Sequence, residues 1–203
     1  MKIVILGKGN MGTPLALLAQ AAEHQVQSFD SKTNPVAALQ SADVVILATK
    51  YEQALALRED RAVVAALSGK VVVDITNPLA TDYMSLTVGH TSSAAEEIAL
   101  RLPGAHVVKA FNTVFAALLA QRAAGNRVEV PVFIASDHEA AAQTVAGLAG
   151  AMGFTTIFSG TLSNARYLEP MAELMIQLGY GLGHGDRIGF VMRDEGRATA
   201  AAA

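Results

Sequence analysis

The chain contains no cysteine. That absence removes disulfide frameworks, thiolate zinc sites and cysteine nucleophiles. Charge is sparse as well: 16% of residues are charged, and fifteen Lys plus Arg stand against eighteen Asp plus Glu for a net charge of -3. No basic stripe is available to neutralise a phosphate backbone, so nucleic acid is not an expected partner. Long apolar runs are missing too. The uncharged stretch Ala140 to Ala165 is broken by Gln143, Thr144, Thr155, Thr156, Ser159 and four glycines, and reads as helix, turn and buried strand instead of a membrane span. The five histidines, His24, His90, His106, His138 and His184, form no i, i+4 pair, so no metal site is expected.

What is present is a chain of 203 residues, 52% hydrophobic, enough for one domain with a proper core. Met1 to Gly7 reads as a strand and not as a signal peptide, which implies a cytoplasmic protein. Seven short runs read as strands: Lys2 to Leu6, Gln25 to Phe29, Asp43 to Ala48, Lys70 to Ile75, His106 to Lys109, Val130 to Ala135 and Thr155 to Ser159. Val44-Val45-Ile46-Leu47 and Val71-Val72-Val73 are apolar at consecutive positions, which requires burial on both faces, as in a parallel sheet sandwiched by helices. The fold class is therefore α/β, a doubly wound, mostly parallel sheet with a carboxyl-terminal helical extension. Residues 1–160 read as the core built on this sheet and 161–203 as a helix and crevice-covering segment of the same domain.

Caps place the helices. Ser93-Ala-Ala-Glu96 is a capping box, Asp137 is in position to cap a helix over Glu139 to Ala149, and Ser163 one over Arg166 to Leu178. Between Asp30 and Asp43 there is room for only a turn or two of helix around Pro35 to Leu39. The glycine-rich His184 to Phe190 segment reads as a wall for a second substrate, and Thr199 to Ala203 as a frayed tail.

Gly7-Lys8-Gly9-Asn10-Met11-Gly12 follows the first strand directly and opens an alanine- and leucine-rich helix, Met11 to Ala22; an acid, Asp30, closes the next strand. This is the dinucleotide fingerprint in its full context. Gly7 permits the tight turn, Gly9 lets a pyrophosphate approach the backbone, and Gly12 lets helix and strand pack closely, while the free N–H groups of the helix start face the phosphates. Asp30 suits a ribose 2′-hydroxyl, whereas Ser31 and Lys32 suit a 2′-phosphate, so NADP and NAD both stay open; Asp30 is equally suited to closing a turn. In an open parallel sheet ligands lie beyond the carboxyl ends of the strands. That adds Thr49, Lys50, Tyr51, Asn77, Pro78, Ala110, Phe111 and Asn112 as cofactor-binding candidates.

Beyond the fingerprint, Val73-Asp74-Ile75-Thr76-Asn77-Pro78-Leu79, Ser92 to Glu96, Val108-Lys109-Ala110-Phe111-Asn112-Thr113 and Leu162 to Arg166 resemble the NADPH-dependent reductases of the deazaflavin coenzyme F-420. The chain is also similar to the cytosolic oxidoreductase domain of the STEAP-type metalloreductases, which share the Lys-x-Phe-Asn segment. The resemblance implies NADP(H) bound to a Rossmann domain, with hydride passed to a dissociable flavin or deazaflavin acceptor. It assigns Ser31 and Lys32 to the 2′-phosphate. Asp30, the single lysine there and Lys50, which stands where a proline often follows the third strand, depart from the family pattern.

Hydride transfer between rings needs placement more than a dedicated acid or base, so no catalytic residue is assigned. Arg166, which stays protonated, cannot act as a proton shuttle, and is expected to pair with Glu169 one turn on. Two other readings remain: a non-catalytic NADP(H) sensor, and a dehydrogenase of small hydroxy or imino acids, which would need a proton-transfer residue near Asn112 or Arg166. Met171, Leu174, Met175 and Leu178 recur at helical spacing and serve either the core or a homodimer face.

Overall fold

The computed structural model describes residues 1–193; the expected tail, Thr199 to Ala203, lies outside them. Seven strands form one sheet in the order β2-β1-β3-β4-β5-β6-β7. They are β1 (Lys2–Leu6), β2 (Gln25–Phe29), β3 (Val44–Leu47), β4 (Val71–Asp74), β5 (His106–Lys109), β6 (Val132–Ser136) and β7 (Thr156–Phe158). The first five run parallel, β6 runs antiparallel to β5, and β7 follows β6. All seven strands are where the sequence puts them: β1, β2 and β5 keep the expected bounds, β3, β4 and β7 are shortened at the ends, and β6 starts two residues later and ends one later. Asp43, for example, accepts the Lys2 N–H at 2.7 Å through its carboxylate, and Asp74 turns its carboxylate onto the Thr76 N–H at 2.8 Å.

Alternation along the buried strands separates two cores. Ile3, Ile5, Val44 and Ile46 face one side, against Leu15 and Leu18 of α1 (Gly12–Ala21), Leu119 of α6 (Ala116–Ala123) and Leu148 of α7 (Glu139–Ala151). Val4, Leu6, Val45 and Leu47 face the other, against Leu39 of α2 (Val36–Ser41), Ala54 of α3 (Tyr51–Ala56), Leu67 of α4 (Arg61–Leu67) and Ile98 of α5 (Ala94–Arg101). Burying each such side chain contributes about 1.5–3 kcal/mol, so the doubly apolar strands fix a sheet covered on both faces. The last helix, α8 (Ala165–Ile176), packs on α5 and continues into one wider turn, Gln177–Gly181. No helix among the described residues is long and apolar enough to cross a membrane.

Ser93 caps α5 as expected, its hydroxyl accepting the Glu96 N–H at 3.2 Å. The other two caps are corrected. His138 and not Asp137 precedes α7, because the Asp137 carboxylate accepts the Leu162 N–H at 3.0 Å, 25 residues away. Asn164 and not Ser163 precedes α8, the Ser163 hydroxyl instead meeting that of Thr161 at 2.8 Å. The Met171 to Leu178 stretch divides: Met175 is buried, whereas Leu174 is half exposed.

Candidate functional site

The chain reverses direction across the sheet between β2 and β3, both of which flank β1, and a crevice opens there at the carboxyl ends of the strands. The loop from β1 to α1 sits in it under tight steric control. A Cβ on Gly7, whose φ is +116°, would lie 2.1 Å from the Ala48 carbonyl oxygen, and one on Gly12 would lie 2.1 Å from the Gly7 carbonyl oxygen. Gly9 has no atom within 4 Å of that position, so its face of the loop is open. The Thr13 N–H donates to the Gly9 carbonyl at 3.0 Å and the Thr13 hydroxyl to the Lys8 carbonyl at 3.1 Å, which ties the loop to the helix start. The N–H groups of Gly9, Asn10 and Met11 donate to no protein acceptor among the described residues. An exposed loop with free N–H groups at a helix N-terminus is suited to a pyrophosphate.

At one end of the loop, beyond β2, Asp30 Oδ1 accepts the Lys32 N–H at 3.0 Å and the Thr33 hydroxyl at 2.9 Å. These bonds, with the Lys8 charge nearby, hold the Asp30 carboxyl below its usual range. Asp30 therefore closes a turn, and Ser31 and Lys32 stand exposed beside it.

On the other side lies a cleft of about 300 Å³, lined by Met11, Thr49, Lys50, Tyr51, Thr76 and Asn77 among others. Its outer wall, Leu79 to Thr81 and Tyr83, comes from the long connection between β4 and α5, which is held by the Thr87 N–H to Pro78 carbonyl bond at 2.7 Å and by Gln177 Nε2 on the Met84 carbonyl at 2.6 Å. A connection of this length without regular structure is characteristic of a binding loop. Lys50 is exposed and its N–H donates to Gln53 Oε1 at 3.2 Å, starting α3. Tyr51 is buried, and its hydroxyl donates to Glu97 Oε2 at 2.7 Å; burial, with Glu97, pushes its pKa far up. The Thr49 and Thr76 hydroxyls, on two residues of the cleft lining, are buried and without a protein partner among the described residues.

Not every candidate faces the cleft. Ala110 and Phe111 are fully buried, with Phe111 edge-on to Phe154 at 6.1 Å, and Pro78 contributes its carbonyl to the outer connection. Asn112 is 6% exposed; its Nδ2 donates to Asn77 Oδ1 at 3.0 Å and to the Leu168 carbonyl at 3.0 Å. Phe111 thus reaches a cofactor only through its backbone, and Asn112 acts first on Asn77. The glycine-rich segment is not a lining of this cleft either. It turns back at Gly185, whose N–H donates to the Gly179 carbonyl at 2.9 Å, and reaches Val130 and Leu118 at Gly189.

Arg166 does not pair with Glu169. Its guanidinium takes both Glu96 oxygens, Nε to Oε2 at 2.9 Å and Nη2 to Oε1 at 2.6 Å, and so joins α8 to the start of α5. Glu96 is held below its usual range by Arg166 and, against some burial, by the Ser93 hydroxyl. A lowered carboxyl stabilises the fold above its unfolded value and loses that contribution as pH falls through its folded value. Glu96→Gln should therefore lower Tm at neutral pH, with the gap to the wild type starting to narrow below about pH 4 and closing only as pH falls through the lowered folded value of the carboxyl; thermal melts down through that range check it.

Glu169 belongs to a buried ionic cluster that the sequence reading does not contain. Lys109 Nζ lies 2.8 Å from Asp74 Oδ2 and 2.8 Å from Glu169 Oε1, with all three side chains 1% exposed or less. Burial opposes the Lys109 charge, but Asp74 and Glu169 outweigh it and raise its pKa; burial pushes Glu169 up against the pull of Lys109. Glu169 also accepts the Ala94 and Ala95 N–H groups at the positive end of α5. The available signal was a lysine and an aspartate closing otherwise apolar strands. No group of histidine and carboxylate side chains fit to hold a metal occurs among the described residues.

Residues 2–87 match the family model described as the NAD binding domain of 6-phosphogluconate dehydrogenase. Metalloreductase STEAP3 of Rattus norvegicus is 41% identical over 104 residues, 51% of this chain but 20% of that protein, so the match spans a fifth of its length. A solved structure from Arthrobacter sp., described as an F-420-dependent NADP reductase, is similar at TM-score 0.84 and 28% identity, covering 96% of this chain and all of that one. A hypothetical protein of Sinorhizobium meliloti is similar at TM-score 0.66 and 28% identity over 81% of this chain and 88% of its own. The resemblance read from the sequence thus recurs in sequence and in fold: residues 2–87 match a NAD-binding domain, and the chain carries a Rossmann-like NAD(P)-binding fold similar to that of proteins named as reductases.

Proposed function

We propose that the chain is an NADP(H)-dependent oxidoreductase that exchanges hydride with a dissociable flavin-like or deazaflavin-like acceptor. The observation that carries the reading is the loop geometry: Gly7 and Gly12 are closed against backbone, Gly9 is open, and the loop ends in unused N–H groups beside a cleft with unpartnered Thr49 and Thr76 hydroxyls. Gly7 to Gly12 would hold the pyrophosphate. Ser31 and Lys32 would hold a 2′-phosphate, since Asp30 is engaged in its own turn. Thr49, Lys50, Tyr51 and Asn77 would line the nicotinamide half. When bound, the nicotinamide supplies the hydride chemistry; the chain's part is to orient the ring and keep water from it.

The acceptor class follows from the likeness over nearly the whole chain to a structure described as an F-420-dependent NADP reductase. Arg166 is locked to Glu96 and Lys109 is sealed in the core, so neither offers the proton shuttle that a hydroxy-acid dehydrogenase needs. Residues 1–160 would form the nucleotide-binding core, and the exposed Tyr167 and Leu174 on α8 support pairing into a homodimer.

Titration with NADPH and NADH, followed anaerobically by FMN, FAD or a deazaflavin while nicotinamide absorbance is recorded, tests the reading. NADPH binding with oxidation on adding one acceptor is expected. Binding without oxidation by any of them would favour the sensor, and preference for NADH would show that Asp30 decides the cofactor.

A further inference from the structure

The Lys109–Asn112 segment makes polar contacts of a regular kind. Each of its two polar ends holds one residue of the cleft and one residue of α8. Lys109 Nζ donates to the Thr76 carbonyl and pairs with Glu169, and its partner Asp74 accepts the Thr76 N–H at 2.8 Å. Both backbone groups of Thr76 are therefore fixed by one buried ion pair, while its hydroxyl stays unused. Asn112 Nδ2 donates to Asn77 Oδ1 and to the carbonyl of Leu168, the neighbour of Glu169, and Asn77 Nδ2 donates back to the Asn112 carbonyl at 3.2 Å. Between the two ends, Phe111 is fully buried with φ of +59°, a left-handed conformation that a bulky residue rarely adopts. That left-handed residue turns the chain as it leaves β5, and Lys109 and Asn112 both reach the 74–77 segment and α8.

We propose that Lys109 and Asn112 are positioning residues. From behind the cleft they set the Thr76 hydroxyl and the Asn77 amide toward the nicotinamide half of the bound nucleotide, using α8 as the anchor. Neither touches the cofactor, because both lie beneath the cleft floor. The adenosine half, held at the opposite end by the Gly7–Gly12 loop and the turn after β2, is outside their reach. The proposal rests on the cleft taking NADP(H), and it makes a claim that general loss of structure would not: the two halves of the nucleotide should respond differently.

The test measures dissociation constants by calorimetry for NADPH and for adenosine 2′,5′-bisphosphate, which carries only the adenosine end, on the full chain and two variants. Asn112→Ala should weaken NADPH about tenfold, as expected for a lost oriented hydrogen-bonding group, and leave the bisphosphate within about twofold. Lys109→Met should show the same split; if it does not fold, Asn112→Ala alone decides. Equal weakening of both ligands, or of neither, in Asn112→Ala overturns the proposal. Failure of the wild-type chain to bind NADPH at all would instead overturn the functional reading and the positioning roles with it, so the two failures are distinguishable.

Discussion

Gly7→Ala should cost about 2–5 kcal/mol of stability and abolish measurable NADPH binding, because a Cβ there is excluded twice, by backbone conformation and by space. The φ of +116° is one that L residues rarely adopt, and the new carbon would lie 2.1 Å from the Ala48 carbonyl oxygen. That oxygen belongs to backbone just beyond β3, whose Ala48 N–H is bonded to Leu6 at 2.8 Å, so it has no flexible side chain to move aside. Gly9→Ala is the informative contrast. With nothing within 4 Å, its stability should stay within about 0.5 kcal/mol of wild type, while NADPH weakens at least about tenfold because the methyl group occupies the phosphate approach. Denaturant unfolding beside nucleotide titration separates the two, and a Gly9→Ala variant that binds NADPH normally would remove the loop from the site.

Lys109→Met should destabilise the chain by about 3–5 kcal/mol at neutral pH, since it leaves the Asp74 and Glu169 carboxylates buried without their cation. The loss should shrink as pH falls, because carboxyls deprived of the lysine take up protons more readily folded than unfolded, and stability then rises toward acid. The wild type should show this behaviour more weakly, because Lys109 opposes the upward push of burial on Glu169, and the Lys109 contribution itself is fully present below the ordinary lysine pKa and is lost only as pH rises through its raised folded value. Unfolding curves for both chains at pH 8 and pH 5 check the sign. A loss that is constant or grows toward acid would show that the cluster is not held as an ion pair.

The strands were legible because double-sided burial demands consecutive apolar residues, as in Val44 to Leu47, and few alternatives satisfy that demand. The phosphate loop was legible because each glycine has a steric reason that spacing alone reveals. Partners distant in sequence were not. Asp137 sits where a helix cap belongs, yet its carboxylate takes the N–H of Leu162, and Arg166 prefers Glu96, 70 residues earlier, to Glu169 three residues later. Propensity describes the local competition; tertiary packing decided it. The same limit hid the Lys109 cluster, whose members come from β4, β5 and α8, and the outer cleft wall, which depends on Gln177 reaching Met84. Phe111 and Asn112 carried the resemblance, but the structure places them under the site and not at its surface.

The central claim is that hydride passes directly from NADPH held in this cleft to a planar acceptor. Its most direct test supplies NADPH deuterated on one or the other face of C4, with a 5-deazaflavin as acceptor, whose carbon at position 5 retains a transferred label. The account predicts deuterium in the reduced acceptor from one face only and none from heavy water used as solvent. Label that appears from solvent, or equally from both faces, would contradict it.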